Sequence, residues 1–335
     1  MSASPSARVV PSTVATLIEE ARKNPVRWLI PNVLLEGGTH ILHGKEESFK
    51  TMLTIQMHEV LTMGGEFLGR SVTGGLKTGI VQLETKPRLF GNRLAQFFRG
   101  EVPPIEVLPE ELRLQVLNGK QPKDRICIIA DWAQKLDLNL VSIDSAVKLF
   151  PPHCDSSRPE QASEVFNQLQ RLPTLWMLAH DRKAQPGDDT PPGNDEIVGS
   201  GRFAQDPDVV HQMTRPDRRS PRVIFNWGKV RDGEKHDPLD LWFDKVEFRL
   251  YPVHPFVHLL RKGTRSESEI VMEAEKRFGW KERRAREHIA TLKNLKTCDG
   301  TPAVDERQDG HQKLLVLVGE PVAPEEDAAL KSLGI

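Results

Sequence analysis

The sequence predicts an α/β protein with a mostly parallel sheet, antiparallel strands added at one edge, and a carboxyl-terminal winged-helix module. Three observations predict it. From about residue 38 to 180, short apolar runs alternate with amphipathic stretches, as in a parallel sheet with crossover helices. After residue 205 the apolar runs follow one another too closely for intervening helices. From Arg261 to Lys296, two helical patterns rich in basic residues lead into a hairpin signal.

The expected strands of the first region are "THILHG", "TGIVQLE", "LRLQVLN", "LNLVSID" and "TLWMLAH", with helices beginning near Lys50, Pro87, Lys123 and Gln161. The runs "DVVHQM", "PRVIFNW" and "LDLWFD" are expected to form the antiparallel edge. Between the two regions, residues 181–201 carry Pro, Gly and Asp at a density that neither a helix nor a central strand tolerates, which predicts a long functional loop. In the carboxyl-terminal region Ile270, Val271, Ala274 and Phe278 share one helical face, and Ala285, Ile289, Leu292 and Leu295 share another. "GW" separates the two helices, Asp309-Gly310 is the expected hairpin turn and "KLLVLVG" its return strand. The domain boundaries that follow are an amino-terminal segment 1–25, a large α/β domain 26–252 and a winged-helix-like domain 256–335.

Composition narrows the class. A chain of 335 residues that is 38% hydrophobic and 28% charged is long enough for one large core and a smaller second one. A net charge of −1 argues against a grip on nucleic acid by the protein as a whole and leaves local charge to decide. Residues 261–296 hold eleven Lys or Arg against six Glu, a local charge of +5. Cys127, Cys154 and Cys298 have neither disulfide nor metal-ligand spacing, which fits a reducing compartment. No apolar run approaches the roughly 20 residues of a spanning helix, and "MSASPSARVV" lacks the apolar segment of a signal peptide, so a cytoplasmic protein without membrane contact is expected.

The segment "HILHGKEESFKT" is a phosphate-binding loop with one part altered. Between Gly44 and Thr51, Phe49 occupies the place of the second glycine. The loop follows a strand and opens a helix, so the N–H groups of Gly44, Lys45, Glu46, Glu47, Ser48, Phe49, Lys50, Thr51 and Met52 are placed to wrap phosphates. Lys50 would reach the β- and γ-phosphates of ATP, and Thr51 would hold magnesium. The missing glycine is a backbone requirement, met by Phe49 if its φ and ψ lie in a region open to L-residues. "LNLVSID" ends in Asp144, the position of a second magnesium-binding carboxylate. "GIVQLE" ends in Glu84, which can orient or deprotonate the attacking water, and "LWMLAH" ends in His180, which can sense the γ-phosphate.

Those segments, together with "WLIPNVLLEGGTHILHGKEESFKT", "TMGGEFLG", "VQLETKPRLFGNRL", "VGSGRFAQDPDVV" and "WGKVRDGE", occur in the order seen in RecA-like P-loop ATPases of the RepA-type hexameric replicative helicase family, which the chain resembles over roughly residues 26 to 245. The resemblance implies a RecA-like core, ATP and Mg2+ as ligands, Glu84 as catalytic base, His180 as sensor, and Lys229 and Arg231 as a basic finger inserted into the neighbouring subunit's site. It further implies a hexamer that moves single-stranded DNA through a channel, served by loops 151–163 and 181–202 with Arg182, Lys183 and Arg202 as phosphate contacts. Arg283, Arg284 and Arg286 of the carboxyl-terminal module would bind duplex DNA or a partner. One departure stands out: relatives often show paired histidines where this chain has His180 and Asp181. The alternative reading is an ATP-gated DNA-binding regulator or loader.

Overall fold

The structure, a computed structural model, describes residues 13–182, 197–198, 201–216, 221–231, 233–234, 236–252, 254–294, 301–309 and 312–318. After α1 (Val14–Lys23), a ribbon of β1 (Trp28–Ile30) and β2 (Leu34–Leu35) leads into β3 (Thr39–Gly44) and α2 (Lys50–Met63). A second ribbon, β4 (Gly65–Phe67) and β5 (Arg70–Val72), precedes β6 (Thr78–Gln82), α3 (Pro87–Phe97), β7 (Ile105–Val107), α4 (Glu110–Asn118) and α5 (Pro122–Lys135). Next come β8 (Leu140–Asp144), a 3-10 turn (Ala146–Leu149), α6 (Pro159–Leu169), β9 (Thr174–His180), α7 (Arg202–Gln205) and β10 (Val209–Thr214). The antiparallel strands are β11 (Arg222–Val230), β12 (Leu239–Asp244) and β13 (Arg249–Tyr251). The carboxyl-terminal unit holds α8 (Pro255–Arg261), β14 (Arg265–Ser266), α9 (Glu267–Phe278), α10 (Glu282–Leu292), β15 (Val304–Asp309) and β16 (Gln312–Leu317).

Nine strands form the main sheet in the order β13-β12-β11-β10-β3-β9-β8-β6-β7. The six from β10 to β7 run parallel, which fits a RecA-like P-loop core. Both faces of the parallel part are covered, so its strands read as continuous apolar runs: β6 and β8 are buried at every position. The antiparallel extension packs over the helix that follows the phosphate loop. Gln56 of α2 donates from Nε2 to Leu250 O at 2.9 Å and accepts from Leu250 N at 3.1 Å, and Glu59 is ion-paired with Arg249.

Four sequence expectations change. "LRLQVLN" is the helix α4, because Pro109 sets the first turn and Glu110 and Glu111 favour its positive end; the edge strand is the shorter β7. β10 is parallel to β3, so the antiparallel edge begins one strand later, at β11. The expected loop 151–163 ends at Arg158, where Pro159 starts the amphipathic α6 and buries Ala162, Val165 and Phe166. An additional helix, α8, begins the carboxyl-terminal unit.

In that unit Ile270, Ala274 and Phe278 of α9 pack with Ala285, Ile289 and Leu292 of α10, and Val271 is partly buried beside them. Gly279, at φ +70°, ends α9 in the left-handed conformation that glycine adopts without strain. β14, β16 and β15 form a three-stranded antiparallel sheet. Leu295, Cys298 and Gly310 lie outside the described residues, as do residues 1–12 and most of the expected 181–201 loop, including Lys183. Cys127 and Cys154 are free thiols. Among the described residues no helix is long and apolar enough to cross a membrane.

Phe49 occupies the narrow left-handed region, φ +65° and ψ +19°, as residue before α2. That conformation costs an L-residue about 1–2 kcal/mol relative to the right-handed one. Two contacts oppose the cost. The Phe49 ring stacks on Phe243 at 4.2 Å between centroids, and the Arg215 guanidinium lies 4.6 Å from its centroid. Arg215 also donates from Nη1 to Glu47 O at 3.2 Å. Aromatic pairs of this geometry contribute about 0.5–1.5 kcal/mol.

Substitution of Phe49 tests this balance. Phe49→Gly relieves the backbone but loses the stack, so its stability should stay within about 1 kcal/mol of wild type. Phe49→Val loses the stack and keeps the strain, and its denaturant midpoint should fall clearly below that of the glycine variant; equal midpoints would show that the left-handed backbone is not strained.

Three buried histidines make the stability depend on pH. His40, His58 and His211 are fully buried, and burial pushes their pKa values down to about 4, 3 and 3. In the unfolded chain histidine titrates near 6.5. Between these values the unfolded state binds more protons, so stability falls as pH drops from about 6.5 towards about 4. His58 Nε2 lies 2.8 Å from Ser142 Oγ. His58→Gln keeps a hydrogen-bonding group there but takes no proton, so it should flatten the decline of melting temperature with falling pH; an unchanged slope would assign the decline to other groups.

Candidate functional site

Four adjacent parallel strands deliver their carboxyl ends to one cleft of about 490 Å3. β3 leads into the phosphate loop, β6 into Glu84, β8 ends in Asp144 and β9 ends in His180. Gly44 is required by close approach: a Cβ there would lie 2.3 Å from Met213 O of the neighbouring β10. The cleft is lined by the loop from Glu46 to Met52 together with Glu84, Asp144 and His180.

Lys50 Nζ donates to Gly44 O at 2.7 Å and Lys45 O at 2.9 Å, so the ammonium sits inside the curl of its own loop. Burial lowers its pKa, and the surrounding carboxylates, Asp181 and Asp144 first, oppose that shift. Thr51 Oγ1 donates to Asp144 Oδ2 at 2.9 Å, and Gln82 Nε2 donates to the same oxygen at 2.9 Å. Burial raises the Asp144 pKa, with the two hydrogen bonds acting against it. Hard oxygen donors in this arrangement suit a magnesium ion.

Glu84 stands two residues beyond β6 and lies 3.2 Å from His180 Nε2 through its Oε2. The His180 hydrogen bond holds its carboxyl below the usual range, against the desolvation that raises it. Glu84 is therefore an ionised carboxylate open to the cleft. Its backbone is fixed by Gln82, whose Oε1 accepts from the N–H groups of Glu84 and Thr85, each at 2.9 Å. Gln82 thus positions both acidic residues, one through each end of its amide.

The basic pair is elsewhere. Arg231 is ion-paired with Asp208 at 2.9 Å, and Asp208 Oδ2 accepts from the N–H of Thr39, the first residue of β3. Gly44 is five residues further on, roughly 16 Å along the strand. Lys229 Nζ donates to the carbonyls of Gln205 and Pro207 at 2.5 Å, and desolvation lowers its pKa. Arg202, ion-paired with Asp206, lines a polar cleft of about 400 Å3 with Arg231 at this same amino-terminal end of the sheet. The sequence reading groups Arg202 with Arg182; the structure separates them, because α7 lies at the start of β10 and Arg182 follows the end of β9.

Asp181 accepts a hydrogen bond from His43 Nδ1 at 2.7 Å, with both side chains buried. The residue in place of a second histidine therefore ties the end of β9 to the end of β3, beneath the loop. Arg93, Arg215 and Phe248 also line the cleft and were not among the expected site residues. Arg93 carries a faint signal, lying nine residues after Glu84 on the helical stretch from Pro87; Arg215 and Phe248 carry none, since only the fold brings them to the loop.

No curated protein sequence matches the chain. Among solved structures it is similar to the crystal structure of a KaiC-like protein from the hyperthermophilic archaeon Pyrococcus horikoshii OT3, at 16% identity and a TM-score of 0.47, over 68% of this chain and 100% of that one. The family model AAA_25, described as an AAA domain, matches residues 3–186. That match covers just over half of the chain and includes the phosphate loop, Glu84, Asp144 and His180, and the protein therefore belongs to this AAA domain family of P-loop ATPases.

Proposed function

We propose that this protein is an ATP-hydrolysing, ring-forming motor acting on single-stranded DNA, of the RepA-type helicase or translocase kind, in the replication of a plasmid, phage or mobile element. One observation carries the reading: the hydrolytic set Lys50, Thr51, Asp144, Glu84 and His180 converges at the carboxyl ends of the strands, while Lys229 and Arg231 lie at the opposite end. A basic pair so placed completes a nucleotide site on a neighbouring copy.

In this mechanism the loop amides and Lys50 bind the β- and γ-phosphates. Thr51 and Asp144 would hold magnesium, which when bound draws charge from the phosphate oxygens. Glu84 orients a water for in-line attack on the γ-phosphorus and accepts its proton as the bond to the bridging oxygen of ADP breaks. His180 keeps Glu84 ionised and links it to β9, whose continuation through Arg182 is the segment assigned to DNA. The order α9, α10, β15, β16 supports a winged-helix module. Arg283 and Arg286 of α10 form ion pairs with Glu287 and Glu282. Such exposed pairs are weak and are readily exchanged for phosphates of duplex DNA.

The second reading, an ATP-gated DNA-binding regulator or loader, is favoured by one feature: the carboxyl-terminal core takes Trp242 from the main sheet, so that unit is joined firmly to the ATPase.

Phosphate release in the presence of magnesium should rise when single-stranded DNA is added. Lys50→Ala should abolish it, and Glu84→Gln should bind ATP normally while losing roughly 10² to 10⁴ in rate. Undiminished turnover in Glu84→Gln would place the base elsewhere, and indifference to single-stranded DNA would remove the motor reading.

Complementation tests the assembly. Subunits carrying Arg231→Ala and subunits carrying Lys50→Ala should each be inactive, and mixing them should restore part of the activity. An interface with an intact loop and an intact finger forms only in the mixture. A missing finger of this kind costs roughly 10³ to 10⁵ in rate, so modest recovery stands above background. No recovery from co-assembled subunits would make the basic pair structural.

A further inference from the structure

Alternate residues of β12 serve two different cores. Leu241 and Phe243 face the core beneath the phosphate loop; Trp242 faces the core of the carboxyl-terminal unit. On the first side Phe243 stacks on Phe49, the residue immediately before Lys50. On the second side Trp242 meets Trp280 edge-on at 5.6 Å between centroids. Asp244, fully buried, accepts from Arg277 Nη1 of α9 at 2.8 Å, and Lys245 N donates to Arg277 O at 3.0 Å. One strand thus has a lip of the nucleotide cleft on one face and the last turn of α9 on the other.

The extension is also fixed to the helix that follows the loop. α2 begins at Lys50 and is hydrogen-bonded through Gln56 to the backbone of Leu250 in β13. At the loop end stands the left-handed Phe49, whose ring Phe243 and Arg215 cover.

We propose that Phe243 is a positioning residue that couples the phosphate loop to the carboxyl-terminal unit, so that nucleotide binding at Lys50 tightens the packing of α9 and α10. The inference rests on nucleotide binding at the loop. Phosphates that engage the loop amides fix Phe49; a fixed Phe49 fixes Phe243; and neighbouring Trp242 and Asp244 then hold Trp280 and Arg277 in place. By reciprocity, a ligand that binds the carboxyl-terminal unit raises nucleotide affinity by the same factor.

Hydrogen exchange on the full chain, with and without magnesium and ATPγS, tests this. Peptides covering 44–51 report loop occupancy, and peptides covering 267–292 report the carboxyl-terminal unit. In wild type both should become protected, the second by about fivefold or more. In Phe243→Leu, which keeps an apolar side chain but no ring to stack, the loop should still be protected and 267–292 should no longer respond. Arg277→Met, which cuts the link on the far side and leaves the loop untouched, should do the same and serves if the first variant folds poorly. A protected loop with an unresponsive 267–292 segment in wild type would overturn the coupling and leave nucleotide binding intact. Persistence of the response in both variants would also overturn it. A loop that ATPγS does not protect would remove both the coupling and the nucleotide reading beneath it.

Discussion

A left-handed backbone at Phe49 is the constraint on which the nucleotide end of this protein depends. Lys50 opens α2, so the residue before it must turn the chain from loop to helix while leaving the loop N–H groups facing inwards. Glycine makes that turn without cost; phenylalanine does not. The fold answers by covering the ring with Phe243 from the antiparallel extension and Arg215 from the end of β10. An atypical loop residue is thereby converted from a defect into an anchor, and the extension acquires a structural reason to lie against α2.

The rest of the cleft follows from strand order. With β3, β9, β8 and β6 adjacent and parallel, the residues that end or follow them arrive within a side chain's reach of one another. Gln82 then does what the strand ends alone cannot: its amide orients Asp144 through one end and the Glu84 backbone through the other. The His43–Asp181 pair ties the end of β9 to β3 below the loop, so the His180 side of the cleft is joined to the phosphate-loop side.

Much of this was legible in the sequence, for definite reasons. β6, β8 and β9 are largely buried and read as mainly apolar runs whose carboxyl ends marked Glu84, Asp144 and His180, while the spacing of the phosphate loop from Gly44 to Thr51 marked Lys50. "LRLQVLN" misled because its alternating leucines match a strand period, whereas its Glu, Arg and Gln content and its preceding proline favour α4. β10 misled because its direction is set by the crossover from β9 and not by any local pattern. Arg215, Phe243 and Phe248 were invisible because they reach the loop from more than 160 residues away in sequence, through strand pairings that only the assembled sheet defines. Gln82 was in plain view, a polar residue at the end of an apolar strand, but its two-ended role needs the positions of Asp144 and Glu84 together.

The position of Lys229 and Arg231 decides how the two ends of the sheet are related. Each strand of a parallel sheet has one end that gathers ligands and another that does not. Here the ligand end holds the carboxylates and the loop, and the opposite end holds Arg231, Arg202 and Asp208 around a polar cleft. An arginine side chain spans less than half of the roughly 16 Å between Thr39 and Gly44, so no rotamer brings the guanidinium to its own loop. If these cations act on nucleotide at all, they act on that of another copy, and head-to-tail contact of one sheet end with the next is the arrangement that generates rings or filaments. The carboxyl-terminal unit, joined to β12 beside the loop, would then lie close to every nucleotide site in such an assembly, where a change at the phosphates reaches it through a single strand.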